Sequence, residues 1–227
     1  GAPLWIHPNY RARLSICATE KRQMASLAAT LVRDHTVIGL DGSSTLYYLA
    51  RRLAGRDITV VTNGLYSALE LASHPPTRVI LIGGELQLTM GSIIGHVGRP
   101  MLGGYSVEGE GANSGLSGLR MHQFFTSPGG LTITDGLMDI DPDENLIKQD
   151  MIALADEIIA VADHSKIGQR ALLPYAPLKA IHCLITDSAS DECYLNRIRE
   201  MGIRVLIPQE VPNPTSHDHF DPDAPTS

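Results

Sequence analysis

Three short apolar segments, separated by helix-like stretches, dominate the first third of the chain. They occupy 36–41, 58–63 and 78–84, and each is apolar at consecutive positions rather than at alternate ones. Strands of this kind are buried on both faces, which is typical of a parallel sheet covered by helices. The stretches between them supply the right-handed crossovers that a parallel sheet requires. We therefore predict an α/β fold with a mainly parallel sheet and helices on both faces.

The second half of the chain returns to this alternation after a glycine-rich interruption. Residues 101–118 contain six glycines and few apolar anchors, which predicts a mobile loop or an inserted lid. We expect it to close over a bound ligand together with a turn-rich stretch at 129–143. Further strands are predicted at 123–127, 158–163, 182–187 and 204–208, with helices starting near Glu144 and Asp191.

These patterns predict one large domain between residues 19 and 210. Residues 1–18 carry two prolines and no clear period, and we expect them to form a linker or arm. Residues 211–227 contain four prolines, and we expect a disordered tail there.

Composition and charge exclude several classes of partner. The net charge is −7, so we expect no basic face able to grip DNA by itself. No apolar run approaches the roughly 18 residues of a membrane helix, and no secretory signal is visible at the start. The three cysteines are widely spaced, form no metal-binding pattern and favour a reducing compartment. We therefore expect a cytoplasmic domain with no membrane partner, no metal and no cofactor.

The loop Asp41–Thr45 follows the first predicted strand and combines several groups that bind anions. Unpaired amides and the positive end of the next helix dipole meet there, and Gly42 allows a tight turn. The hydroxyls of Ser43, Ser44 and Thr45 can donate to phosphate oxygens. A helix N-cap explains the same pattern without any ligand. Spacing leaves both interpretations open.

Other polar residues are expected at the same edge of the sheet, because the carboxyl ends of parallel strands meet there. Thr62 and Asn63 end the second strand and could hydrogen-bond sugar hydroxyls. Gly84 would allow close backbone approach to a ligand, and Lys166 could pair with an anion. Taken singly, each residue also fits ordinary turn chemistry.

Glu144 and Lys148 stand four residues apart on a predicted helix. One interpretation is a surface pair that contributes only about 0.3–0.5 kcal/mol to the helix. In the other, Lys148 reaches a phosphate or hydroxyl group while Glu144 orients it. Spacing does not decide between them.

Seven short motifs occur in the order found in one known family. They are the loop 41–45, TVVTN (59–63), ILIGGE (80–85), IIGHVGR (93–99), GGL (129–131), ADHSKIG (162–168) and LITD (184–187). Glu20-Lys21 at the start of the first helix and the pair Glu144 and Lys148 also fit. From about residue 19 to about residue 208, the chain resembles the effector domain of DeoR-type transcription regulators.

This resemblance implies a fold related to sugar-phosphate isomerases and CoA transferases. It also implies a cytoplasmic sensor, not an enzyme, that forms a homo-oligomer and binds a phosphorylated sugar. Gly129 and Gly130 would be among its ligand-binding residues. In that family a winged helix-turn-helix upstream binds operator DNA, and Gly1-Ala2 fits the linker that follows it.

The sequence departs from the family at three points. Glycine comes one place earlier in the first loop, where the family usually reads Asp-Ser-Gly-Thr-Thr. The glycine-rich stretch at 103–118 is longer than usual. The segment 127–131 lacks the acid of the isomerase relatives, so proton abstraction has no obvious base there.

Two alternatives to a sensor follow from the same sequence. One is a sugar-phosphate isomerase or hydrolase on the same fold, with Asp41, Asp135 and Glu144 as acid or base candidates. The other is an oligomerisation domain whose pocket no longer binds a ligand.

Overall fold

A computed structural model describes residues 9–95 and 119–209 of the chain. Its helices are α1 (Tyr10–Ser15), α2 (Ala18–Leu31), α3 (Ser44–Leu53), α4 (Leu65–Ala72), α5 (Pro142–Leu154) and α6 (Glu192–Glu200). Its strands are β1 (Val37–Leu40), β2 (Thr59–Thr62), β3 (Arg78–Leu81), β4 (Glu85–Gln87), β5 (Ser92–Ile94), β6 (Met121–Thr126), β7 (Gly130–Thr132), β8 (Gly136–Asp139), β9 (Ala155–Val161), β10 (Leu173–Ala176), β11 (Cys183–Ile185) and β12 (Arg204–Leu206). None of the helices in these ranges is long and apolar enough to cross a membrane.

A seven-stranded sheet forms the centre of the fold. Its strand order is β12-β11-β9-β6-β1-β2-β3, and every neighbouring pair is parallel. Strands β2 and β3 are added on one side of β1, and the later strands β6, β9, β11 and β12 are added in turn on its other side. The strand order therefore reverses between β1 and β6, where an open α/β sheet usually binds its ligand.

Helices cover both faces of this sheet, because consecutive strand residues point to opposite sides. Phe125 and Val60 pack into the cluster that contains α2 and α3. Their neighbours Phe124 and Val61 pack on the other face, against Met151 of α5. The predicted α/β class, with a mainly parallel sheet and helices on both faces, is confirmed.

Short antiparallel elements, which the periodicity does not predict, join the parallel sheet. Strands β4 and β5 form a hairpin, and β10, β8 and β7 form a three-stranded sheet. The stretch 129–143 is therefore not an irregular loop. It contains the β7–β8 pair and then α5, whose N-cap Asp141 accepts hydrogen bonds from the amides of Asp143 and Glu144. These strands have three or four residues each, too few for a period to show.

The segment expected to be a linker or arm contains helix α1. Asn9 caps it by accepting a hydrogen bond from the Ala12 amide at 2.9 Å, and Tyr10 and Leu14 are buried in the main core. The Tyr10 ring stacks on Tyr66 at a centroid distance of 4.7 Å. At least residues 10–15 are thus part of the packed domain. The predicted loop at 101–118 and tail at 211–227 lie outside the described residues.

Candidate functional site

A cavity of about 150 Å³ lies where β1 and β6 end, at the reversal of strand order. Seven of the predicted site residues line it: Gly42, Ser43, Ser44, Gly129, Glu144, Lys148 and Lys166. They come from the β1–α3 loop, the β6–β7 loop, α5 and the turn after β9. The parallel topology brings these separate segments to one place, as the strand-end argument predicts.

The loop after β1 is organised by the buried carboxylate of Asp41. One of its oxygens accepts a hydrogen bond from the Ser43 amide at 3.0 Å. The other accepts from the Thr126 hydroxyl at 2.9 Å and from the Ser127 amide at 2.7 Å. Asp41 is fully buried and joins the end of β1 to the end of β6. Its role is therefore to shape the loop, not to face the cavity.

The loop 41–45 both caps a helix and lines the cavity. Ser43 caps α3, because its hydroxyl oxygen accepts a hydrogen bond from the Leu46 amide at 3.2 Å. Ser43 and Ser44 nevertheless line the cavity. The amides of Gly42 and Ser44 have no hydrogen-bond partner within the described ranges, as is usual in the first turn of a helix. Two donors thus remain at the N-terminus of α3 for an anion.

Three of the four lysines of the chain line this cavity, and they fall into two electrostatic classes. Lys148 is almost fully buried, with its ammonium 2.6 Å from an Asp139 oxygen and 3.4 Å from an Asp41 oxygen. Burial alone would lower its pKa, but Asp139 and Asp41 outweigh burial and raise the pKa well above its ordinary value. Lys148 is therefore a permanently charged partner of two carboxylates.

Lys21 and Lys166 form the other class. The Lys21 ammonium donates to the Arg13 carbonyl at 2.6 Å and to the Ser44 hydroxyl at 3.2 Å. Burial, together with the nearby charge of Lys166, lowers its pKa to about 8. Burial also lowers the pKa of Lys166, which donates to the Ser127 hydroxyl at 3.0 Å. Carboxylates compensate these two ammonium groups incompletely, so an anion between them would be stabilised.

Glu144 lines the cavity, and two polar side chains hold its carboxylate in place. Its carboxylate accepts hydrogen bonds from the Asn63 side-chain amide at 3.2 Å and from the hydroxyl of Ser92. Burial raises its pKa, although Lys148 and these hydrogen bonds act in the opposite direction. Glu144 and Lys148 are thus not a surface pair: both are buried parts of the cavity wall.

Six predicted residues do not line the cavity, and the structure gives them other contacts. The Thr62 hydroxyl accepts from the Gly64 amide, and Asn63 donates to Glu144 and to the Ile93 carbonyl. A Cβ added to Gly84 would lie 2.3 Å from the Ile94 carbonyl oxygen, and one added to Gly130 would lie 2.5 Å from the Gln169 carbonyl oxygen. Neither position has room for a side chain. The six residues are Asp41, Thr45, Thr62, Asn63, Gly84 and Gly130.

Several cavity residues were missed by the sequence reasoning. They are Arg13, Lys21, Ser127, Asp139, Asp163 and Ser165. Lys21 had a usable signal, because it belongs to the Glu20-Lys21 pair quoted for the family resemblance. Asp139 had none, since the β7–β8 hairpin that positions it was not predicted.

Asp135, a candidate acid or base in the enzyme interpretation, lies away from this cavity. Its carboxylate contacts the Arg170 guanidinium at 2.8 and 3.2 Å and accepts from the Thr132 hydroxyl at 2.9 Å. These hydrogen bonds lower its pKa. Asp135 lines a separate open cleft of about 400 Å³ that also includes Tyr175 and Lys179. Its loop therefore does not fold into the site, as the enzyme interpretation would require.

Comparisons with known proteins agree with this architecture. The family described as the DeoR C terminal sensor domain matches residues 16–188. The HTH-type transcriptional repressor GlcR of Bacillus subtilis is 30% identical over 202 residues, covering 89% of this chain and 72% of the relative. The HTH-type transcriptional regulator GolR of Listeria innocua is 30% identical over 200 residues, covering 88% and 73%.

Two solved structures superpose on this chain at low sequence identity. The probable sor operon regulator from Shigella flexneri superposes with a TM-score of 0.50 at 12% identity, covering 78% of this chain and 88% of the other. Ribose 5-phosphate isomerase A from Methanocaldococcus jannaschii gives a TM-score of 0.44 at 15% identity, covering 66% and 55%. Because the family match spans most of the sequence, the chain belongs to the family of DeoR C-terminal sensor domains.

Proposed function

We propose that this sensor domain binds a phosphorylated sugar in the cavity at the end of β1, without transforming it. One observation carries the proposal: Lys21 and Lys166 line the same cavity as unpaired backbone amides, and both have lowered pKa values. A phosphate dianion placed between the two ammonium groups would add to the partial compensation that Asp163 gives them, 4.0 Å from the Lys166 ammonium.

The phosphate end of the ligand would lie against the N-terminus of α3. The amides of Gly42 and Ser44 are available to donate to an anion there, and the helix dipole favours negative charge at this end. Lys166 reaches the same region from the turn after β9, through its contact with Ser127. Backbone, dipole and ammonium groups therefore converge on one part of the cavity.

The sugar end would lie toward the acidic wall of the cavity. Asp139 and Glu144 supply carboxylate acceptors for hydroxyl groups, and Lys148 supplies a donor. An added Cβ on Gly129 would lie 3.0 Å from an Asp139 oxygen, so glycine keeps this wall open. A molecule with a phosphate at one end and hydroxyl groups at the other matches this polarity.

The contacts of the three acids that the enzyme alternative requires support binding without turnover. Asp41 accepts three hydrogen bonds and lies near Lys148, while Glu144 is held by Asn63 and Ser92. Asp135 faces another cleft. A general base must reach the proton that it removes, and none of these three is placed to do so freely.

The wider role rests on the names of the relatives, which are transcriptional regulators of the HTH type. We infer that the ligand modulates binding to operator DNA by a helix-turn-helix segment outside this domain, in a cytoplasmic homo-oligomer, either a dimer or a tetramer. The net charge of −7 supports an indirect role for this domain in DNA binding.

A thermal-shift screen tests the proposal directly. The chain is heated with pentose and hexose phosphates, with the matching unphosphorylated sugars, and with inorganic phosphate. A phosphorylated ligand at 100 times its dissociation constant should stabilise the protein by about 2.7 kcal/mol, whereas the unphosphorylated sugar should not. Lys166→Met should abolish the shift, and Lys179→Met, at the other cleft, should retain it.

Two results would contradict the proposal. Equal shifts with phosphorylated and unphosphorylated sugars would show that the lysines do not bind a phosphate. Isomerisation or hydrolysis of a stabilising ligand, detected by nuclear magnetic resonance of the incubated mixture, would replace the sensor with an enzyme.

A further inference from the structure

Helix α1 covers the phosphate end of the cavity, although it lies before the residues that match the family. Arg13 and Ile16 contribute to the cavity wall. Two hydrogen bonds hold the helix to the domain: the Tyr10 amide donates to the Thr89 carbonyl at 2.8 Å, and the Tyr48 hydroxyl donates to the Leu14 carbonyl at 2.9 Å. One end of a potential binding site is therefore built from this segment.

The guanidinium of Arg13 is only partly engaged. Nη2 donates to the Met90 carbonyl at 2.8 Å, but Nε is buried and has no hydrogen-bond partner within the described ranges. No ion pair with a described carboxylate involves Arg13. A buried N–H group without an acceptor is unfavourable, and an arginine without a carboxylate can bind a phosphate oxygen.

The backbone carbonyl of Arg13 accepts hydrogen bonds from the same two groups that would donate to the phosphate. The Arg13 carbonyl accepts from the Lys21 ammonium at 2.6 Å and from the Ser44 hydroxyl at 3.4 Å. A dianion arriving at Lys21 and Ser44 would compete with this carbonyl for both donors. The same dianion would give the Arg13 side chain an acceptor, so ligand binding rearranges the contacts of α1.

We propose that Arg13 is a ligand-binding residue that contacts the phosphate and makes the position of α1 depend on occupancy of the cavity. The inference rests on the proposed function, because it requires an anion at Lys21 and Ser44. It adds a third cation to the phosphate site, from a helix that the family match does not include. It also identifies α1 as the part of the domain that responds to the ligand.

Hydrogen exchange with inorganic phosphate as the probe tests this inference on the full chain. Saturating phosphate should slow exchange at the amides of residues 42–45 and also change exchange at the amides of α1. In Arg13→Gln, phosphate should still protect 42–45, but the response of α1 should be lost. Arg11→Gln, an exposed residue of the same helix, is the matched control and should behave as the unaltered chain does.

Affinity provides the second measurement. Arg13→Gln should weaken phosphate binding by about tenfold or more, since a charged hydrogen bond is removed, and Arg13→Lys should recover part of the loss. If phosphate protects 42–45 but α1 never responds, and Arg13→Gln binds as tightly as Arg11→Gln, the role of Arg13 is wrong while the phosphate site stands. If 42–45 show no protection in any variant, the phosphate site itself is wrong.

Discussion

Lysine ammonium groups lie at both ends of the cavity, but their surroundings shift the lysine pKa values in opposite directions. At the acidic end, Lys148 lies between Asp139 and Asp41, and its pKa is raised well above the ordinary value although burial opposes this. At the end proposed to bind phosphate, burial lowers the pKa values of Lys21 and Lys166, and the charge of a neighbouring lysine lowers each of them further. A lysine whose charge carboxylates already balance contributes mainly to stability, whereas a lysine whose charge is incompletely balanced contributes mainly to anion binding.

The largest expected effect of this difference is on stability. Lys148→Met would leave Asp41 and Asp139 as buried carboxylates without their cation. We expect unfolding to become easier by about 3–5 kcal/mol, which lowers Tm by roughly 10 °C. Thermal or urea unfolding measures this, and Lys179→Met serves as the exposed control. A Tm unchanged within about 2 °C would contradict the view that Lys148 stabilises the fold by balancing Asp41 and Asp139.

The opposite pattern, a small change in stability and a large change in affinity, is expected at the proposed phosphate end. Lys21→Met removes a cation that burial already disfavours, so stability should change by no more than about 1 kcal/mol. Affinity for the phosphorylated ligand should fall by about 10–100-fold, as one charged hydrogen bond is lost. Calorimetric titration gives the affinity. A variant that lost stability but kept its affinity would reverse our assignment of the two ends.

The pH dependence of binding should come from Lys21. Below pH 8 its ammonium is charged before and after the ligand binds, so affinity is insensitive to this group. As pH rises through about 8, the free protein loses the proton that the bound state retains, and affinity should fall by up to about tenfold per pH unit. Lys21→Arg should flatten the profile, because a guanidinium stays protonated. A profile unchanged in Lys21→Arg would assign the titration to another group.

The smallest effect is expected for Asp135→Asn. This carboxylate pairs with Arg170 at the separate cleft, so ligand affinity at the lysine cavity should stay within about twofold of the unaltered value. Titration under the conditions used for Lys21→Met makes the comparison direct. A large loss of affinity would indicate that Asp135 contributes to the ligand site, as the enzyme alternative requires.

The sequence was most informative where one short pattern decided one element. Consecutive apolar residues at 36–41, 58–63 and 78–84 predicted parallel strands, and topology then brought Ser44 and Lys166 to one edge. Buried strands reveal themselves in this way because both of their faces need apolar side chains. The placement of these two residues therefore followed from the fold class alone.

The residues that were missed depend on elements without a local period. Asp139 ends a four-residue strand, and Arg13 lies on a six-residue helix whose packing rests on only two buried side chains. A single-sequence pattern cannot distinguish either element from a turn-rich loop. Conversely, Gly84 and Gly130 looked like ligand positions, but tertiary contacts show that their missing side chains make room for neighbouring backbone.

The unequal distribution of lysine has a practical consequence. Only four primary amines are present on side chains, three of them in one cavity, and Lys179 lies outside it as an internal reference. Because the pKa of Lys21 is lowered to about 8, more of its side chains are unprotonated, and therefore nucleophilic, near pH 8 than those of an ordinary lysine. Amine-selective labelling followed by peptide mass analysis would thus report occupancy of the cavity without any engineered probe.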